Sequence, residues 1–324
     1  MSSTSSRGSR PALVAAVGAL ALTACTTGPG QLPEDPRYEL SSVAFFPQDT
    51  HQCGPAALAT MLVSTGVATT PEQLVPEVYI PARRGSLQVE MLASARRHGR
   101  IPLQLAPEFT ALQAELEADN PVLVLQDLGA LGIRRWHYAV VIGYDAERDV
   151  VILRSGTERR HLERKSWFLR SWQAGDNWAV TITPPGRIPA TATAAGYIRA
   201  VTESAAHQPA ADIDASYAAA LQRWPEDPLV LFASGNRDYA AGRLAAAQTS
   251  YGRLLELQPG HLAAHNNLAN LLIDRGCAAG AQEHAQRALE LAEQDPALAT
   301  AVQETAERAG QMTARPGDTE ENCD

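Results

Sequence analysis

The period of the apolar positions changes along the chain, and each change predicts a different kind of structure. Residues 12–22 are a continuous apolar run behind Arg7 and Arg10, the pattern of a secretory signal and too short to span a bilayer unaided. Residues 26–40 have no apolar period and are rich in Thr, Gly, Pro and acidic side chains, which predicts a tether. From Val43 to about Pro184 helical and strand periods follow one another. A helix is expected over 54–65, with Pro55 in its first turn, where a missing N–H costs nothing. A second is expected over 86–98, capped by Ser86 and turning Val89, Met91, Leu92 and Ala95 to one face. A shorter third covers 110–118. The period then drops to that of strands: 121–125, 137–142, 149–153 and 178–182 are short β-branched runs between turns, predicting neighbouring strands of a buried sheet. Helices first and an antiparallel sheet afterwards make an α+β arrangement.

A Pro/Gly-rich stretch at 184–189 ends that pattern, and the remainder is Ala-rich and helical with a fixed repeat. Pro225 and Pro259 are 34 residues apart, and so are Tyr217 and Tyr251, Gly242 and Gly276, and Ala247 and Ala281. That spacing resembles the tetratricopeptide repeat, in which small residues let paired helices approach and each hairpin buries its apolar face on the next. Gly235, Ala247 and Tyr251 take the small and aromatic positions of one unit, and Ala269 stands in the second where the first has Gly235. The expected organisation is a signal over 1–24, a tether over 25–40, an α+β domain over 41–184, a linker over 185–193, helical repeats over 194–310 and a polar tail over 311–324.

Composition narrows the partners. With 45% apolar and 19% charged residues the chain is ordinary globular material, long enough for about two domains. A net charge of −9, with no basic run longer than an arginine pair, argues against nucleic acid, because phosphate neutralisation needs a concentrated cationic surface. The run Leu22-Thr23-Ala24-Cys25 resembles the lipobox of bacterial lipoproteins. That implies lipidation at Cys25, a membrane partner through several acyl chains, and a periplasm-facing, outer-membrane location in the cell envelope. Lipidation leaves Cys53, Cys277 and Cys323, an odd number, so at least one thiol stays unpaired within a monomer. A disulfide between Cys277 and Cys323 is one pairing the sequence leaves open.

The candidate chemistry centres on Cys53. In Pro47-Gln48-Asp49-Thr50-His51-Gln52-Cys53-Gly54-Pro55 the thiol sits at the first turn of the predicted helix, where orphan N–H groups and the positive dipole end are expected to lower its pKa. The Cys53 N–H and the Gln48 carboxamide are the expected oxyanion donors, with Gln52 as a fallback. His137, opening the run HYAVVIGYD at a predicted strand edge, is the expected base. His261 and His265 stand one turn apart but lack a third ligand and are expected at the surface; no metal or nucleotide cofactor is expected.

The pairing of PQDTHQCGPAAL with HYAVVIGYD resembles the C39-type cysteine peptidases and their papain-like relatives. Adding a lipobox and a repeat tail, it resembles a family of C39-like lipoproteins. The resemblance implies a papain-like cysteine peptidase domain followed by an all-α tetratricopeptide-repeat domain. It implies Cys53 as nucleophile, His137 as base and Gln48 in the oxyanion hole, a peptide or protein substrate, and a protein partner on the repeats. It departs from the pattern after the histidine strand, where these enzymes carry an Asp that orients the imidazole and this chain reads Ile152-Leu153-Arg154-Ser155-Gly156. Ser155 is the available substitute, and it lacks the charge that would stabilise imidazolium. Asp145 and Asp149 are expected in a turn. An inactive scaffold, and an acyltransferase or non-peptide amidase using the same dyad, remain open alternatives.

Overall fold

The computed structural model describes residues 37–48, 52–130, 133–293, 298–312 and 323. The expected signal, Cys25 with its lipidation, most of the tether and most of the polar tail lie outside the described residues.

Four runs read as strands pair in one antiparallel sheet: β5 (Val122–Asp127), β6 (Trp136–Asp145), β7 (Val150–Ser155) and β9 (Ala179–Thr183). β4 (Ile101–Gln104) and β8 (Glu158–Arg164) extend it to the order β4-β9-β5-β6-β7-β8. Beyond the stretch of β6 that β5 covers, β1 (Arg37–Glu39) pairs with β6, Arg37 opposite Asp145. The last residues of the region expected as tether are thus held in the sheet. Because side chains alternate across a strand, the sheet feeds two cores. Tyr138, Val140 and Ile142 join Leu123, Ile152 and Val180 on one face. Ala139 and Val141 join Val124, Val151 and Leu153 on the other. Burial on both faces explains why these runs read as continuously apolar.

The first face is covered by α1 (Cys53–Ser64), whose residues Gly54 through Leu62 are all buried. Its apolar stripe extends around the whole helix because sheet, α2 (Pro71–Val78) and α3 (Gln88–Arg97) enclose it. Gly54 is required by a close approach: a Cβ there would lie 2.2 Å from Ser86 Oγ and 2.6 Å from Ser86 Cβ. Alanine would gain up to about 1 kcal/mol of helix propensity, against about 1–3 kcal/mol for overpacking. Gly54→Ala is therefore expected to lower the urea midpoint and to move the β3 segment that carries Ser86.

Ser86 itself is a correction. It lies in the short hairpin of β2 (Tyr79–Ile80) and β3 (Gly85–Ser86), and α3 starts after Leu87, so Ser86 caps no helix and Val89 is 61% exposed. Helix α2 went unread, although Thr70-Pro71-Glu72-Gln73 carries its start signal: the Thr70 N–H donates to Gln73 Oε1 at 3.0 Å, ahead of a proline in the first turn. The other face of the sheet packs against α4 (Phe109–Glu117) and α5 (Lys165–Ala174), through Leu112, Leu116, Phe168 and Trp172. Asp145 and Asp149 do lie at the β6–β7 turn, where Asp145 Oδ1 accepts the Arg148 N–H at 3.0 Å.

The α+β part is followed by an all-helical region: α6 (Ala194–Ser204), α7 (Ala210–Arg223), α8 (Pro228–Ala240), α9 (Leu244–Leu257), α10 (Leu262–Arg275), α11 (Ala278–Ala292) and α12 (Ala299–Gly310). Tyr197, Val201 and Val230 from these helices share one core with Ile101, Leu112 and Val124. Gly235 on α8 faces the buried Tyr251 ring of α9, where a Cβ would come within 2.6 Å of Cε1. Cys277 and Cys323 form a disulfide that fastens the chain end to the helices. His265 corrects the surface expectation: it is 7% exposed, with Nδ1 3.0 Å from His284 Nδ1 and Nε2 3.0 Å from Pro259 O. His261 caps α10, its ring Nδ1 accepting the Ala264 N–H at 3.1 Å.

Candidate active site

Cys53 opens α1, and its sulfur is faced by the backbone N–H groups of Tyr138, Gly54 and Cys53 itself. Two come from the helix start and one from β6, so the thiol sits where the buried helix abuts the sheet. The donors favour thiolate, but burial disfavours it more strongly, and the Cys53 thiol is pushed up from its ordinary value. This overturns the expectation of a lowered pKa, which considered the helix end without the enclosure around it.

His137 opens β6 one residue before Tyr138 and is bonded through Nε2 to Ser155 Oγ on β7 at 2.8 Å. Burial, reinforced by the positive charges of Arg135 and His161, pushes its pKa down to about 4. The resting site at neutral pH is therefore a neutral thiol and a neutral imidazole. Cys53 and His137 line one cleft of ≈ 1010 Å³ together with Gln48, Tyr138 and Ser155. Among the described residues no hydrogen bond joins the thiol to the imidazole.

Gln48 is held by the same turn that presents Ser155. Its main-chain N–H donates to Gly156 O at 3.0 Å, its Oε1 accepts the Gly156 N–H at 3.2 Å, and its Nε2 donates to Tyr138 O at 3.4 Å. The Gly156 N–H fixes which end of the carboxamide is oxygen, so the Nε2 donor is turned toward β6. Gln52 precedes α1 without a capping bond and is not among the cleft-lining residues.

Two residues that sequence reasoning passed over organise this site. Tyr138 meets the Cys53 sulfur with its N–H and Gln48 with its carbonyl, while its hydroxyl donates to Ser86 O at 3.3 Å and its ring packs edge-on to Trp178. The only signal for it was adjacency to His137. Arg154 is 4% exposed and donates to Val43 O at 3.1 and 2.8 Å, to Ser41 O at 3.0 Å and to Arg159 O. It thereby anchors the segment leading to Gln48. A lone arginine in an apolar strand was its signal.

Both titrations are measurable. Alkylation of Cys53 by iodoacetamide is expected to accelerate only above the pH range of an ordinary thiol, without the acid-side plateau of a thiolate–imidazolium pair. For His137 the unfolded chain takes up a proton near pH 6.5 and the folded one only near 4. Stability should therefore fall as pH drops through that window, by up to about 3 kcal/mol. His137→Gln should flatten this dependence in urea titrations at pH 7 and pH 4.

Residues 40–179 match the Peptidase C39-like family. No curated protein matches the chain. Among solved structures, one from Bacillus anthracis, whose name assigns it to the C39-like peptidases, is 16% identical, covers 46% of this chain and 98% of its own, and superposes with a TM-score of 0.39. The peptidase domain of Streptococcus ComA, a bifunctional ABC transporter involved in a quorum-sensing pathway, is 19% identical, covers 44% and 98%, and has a TM-score of 0.36. The chain thus carries a Peptidase C39-like family domain over residues 40–179, followed by an all-helical region.

Proposed function

We propose that the chain is an extracytoplasmic thiol peptidase of papain-like design, anchored in the bacterial envelope through lipidated Cys25, with tetratricopeptide repeats that hold a protein partner or substrate. The observation that carries the catalytic part is the sharing of one cleft by Cys53, His137 and Gln48, with three N–H groups facing the sulfur. The 34-residue spacing and the Gly235–Tyr251 contact support the repeat reading. The lipobox resemblance supports the anchor and the periplasm-facing, outer-membrane location. A cystine between Cys277 and Cys323 suits an oxidising compartment.

With Ser155 on Nε2, His137 takes the thiol proton through Nδ1 as the sulfur attacks the scissile carbonyl. The Cys53 N–H and Gln48 Nε2 receive the oxyanion. His137 then returns that proton to the leaving amine as the C–N bond breaks, leaving a thioester on Cys53. Water, deprotonated by the same imidazole, hydrolyses the thioester to a carboxylic acid and restores the thiol. Since both groups rest neutral, the transfer is concerted with attack, and substrate must close the gap between thiol and imidazole.

An acyl probe tests this. The full chain treated with an N-acetylated dipeptide p-nitrophenyl ester should carry a hydroxylamine-labile adduct on the Cys53 peptide. Acylation absent from a Cys53 that iodoacetamide does modify would leave the inactive scaffold, which Ser155 in place of a carboxylate favours. An added amine that intercepts the acyl group as the main product would instead indicate a transferase.

A further inference from the structure

We propose that the cleft selects acidic peptide segments, whose side-chain carboxylates are received by Arg83, Arg84 and Arg135; this rests on the peptidase reading and names its substrate class. The residues come from two separate elements. Arg83 and Arg84 form the turn between β2 and β3, Arg134 and Arg135 lead into β6, and all four line the cleft that holds Cys53. In a chain of net charge −9 this runs against the average.

Several guanidinium groups elsewhere in the fold meet carboxylates, among them Arg160 with Glu39 at 2.8 Å, Arg237 with Asp214 at 2.7 Å, Arg243 with Asp238 at 2.7 Å and Arg253 with Glu226 at 2.6 Å. At the cleft Arg83, Arg84 and Arg135 have no ion pair among the described residues. Arg134 reaches Asp127 only at 3.4 Å and lies over the Trp136 ring, 5.2 Å from its centroid. Two carboxylates line the cleft, Glu158 and Asp176, and Glu158 is engaged by His161 Nδ1 at 3.1 Å. Positive charge is thus in excess around the thiol. Arg84 also holds a left-handed backbone, φ 49°, at a position where glycine would be less strained.

Guanidinium groups bind carboxylates with two parallel N–H donors, and beside a low-dielectric wall such pairs are stronger than in open solvent. The exposed Trp136 ring and the side chains of Leu87 and Leu128 offer apolar surface to the rest of a peptide. There is a catalytic consequence. The groups facing His137 are Arg135, which leads into its strand, His161 on β8 and Ser155 on β7, with the Cys53 thiol of α1 in the same cleft, and Arg135 and His161 both oppose its protonation. A carboxylate seated on Arg135 offsets that opposition and brings the negative charge that Ser155 lacks.

The test compares anionic iodoacetate with neutral iodoacetamide on Cys53 of the full chain, followed by peptide mass spectrometry at low ionic strength. The iodoacetate to iodoacetamide rate ratio is expected to exceed that of the urea-unfolded chain several-fold, to fall to it with added salt, and to fall in Arg84→Glu/Arg135→Glu. In parallel, a fluorescent hexaglutamate with an amidated C-terminus should bind more tightly than hexaserine or hexalysine and be weakened several-fold by the same double substitution. A ratio equal to that of the unfolded chain, with hexaglutamate bound no better than hexaserine, overturns the arginine proposal while leaving the thiol chemistry intact. If neither reagent modifies Cys53 the peptidase reading fails instead, and hexaglutamate binding still decides the arginines.

Discussion

Cys53→Ala is expected to abolish turnover, lowering kcat by at least about 10⁴-fold, the scale seen when a covalent nucleophile is removed. It should also remove the hydroxylamine-labile adduct while leaving the fold in place. The two expectations separate because of where the residue sits. Its side chain is one small group at the helix start, whereas the packing that holds α1 comes from Leu58, Met61 and Leu62, which are fully buried. Alanine keeps the helix and removes only the sulfur that the Tyr138, Gly54 and Cys53 N–H groups surround. The cystine between Cys277 and Cys323 is untouched, so thermal unfolding should shift by no more than a few degrees. Hydrolysis of a peptide pool, followed by mass spectrometry beside a melting curve, checks both parts. Turnover that survives at the parental rate with the fold intact would remove Cys53 from the chemistry.

Ser155→Asp should have the second largest effect, and in the opposite direction. Ser155 Oγ lies 2.8 Å from His137 Nε2, so a carboxylate there would face the ring directly. An adjacent anion favours the charged imidazole, raising the His137 pKa from about 4 toward neutrality. A protonated His137 in turn stabilises thiolate at Cys53, whose pKa is now held up by burial. The expected result is a gain on the order of 10–100-fold in Cys53 acylation near pH 7, a fraction of what an orienting carboxylate supplies in hydrolytic triads. The alkylation profile should move to lower pH alongside it. The outcome to watch for is a His137 pKa that rises in NMR titration while Cys53 reactivity stays unchanged, since that would mean the imidazole does not communicate with the sulfur.

The site was legible at the residues whose chemistry depends on local chain position. Cys53 before Gly-Pro marked a helix start, and His137 ahead of a β-branched run marked a strand edge. Ser155, eighteen positions on, does contact the imidazole. What failed to read was whatever depends on enclosure. The Cys53 pKa moves up because α1 is covered on all sides, and a one-dimensional pattern does not report how many neighbours exclude water. Ser86 looked like a helix cap, yet it belongs to a two-residue strand that the Gly54 contact draws against α1. His265 looked exposed, but His284, nineteen residues later, covers it.

By itself the sequence determined the α+β class, the order of the main helices and strands and the change to an all-helical region, and it singled out Cys53 and His137 as the candidate pair. These follow from side-chain period, turn residues and capping, all of which act over a few neighbouring positions. Tertiary structure alone decided the protonation state of the resting dyad, the roles of Tyr138 and Arg154, and the gathering of four arginines around the cleft. Those properties depend on desolvation and on approaches between segments as much as 113 positions apart, such as Arg154 and Ser41. Only the closed chain brings such distant charges and donors within each other's field.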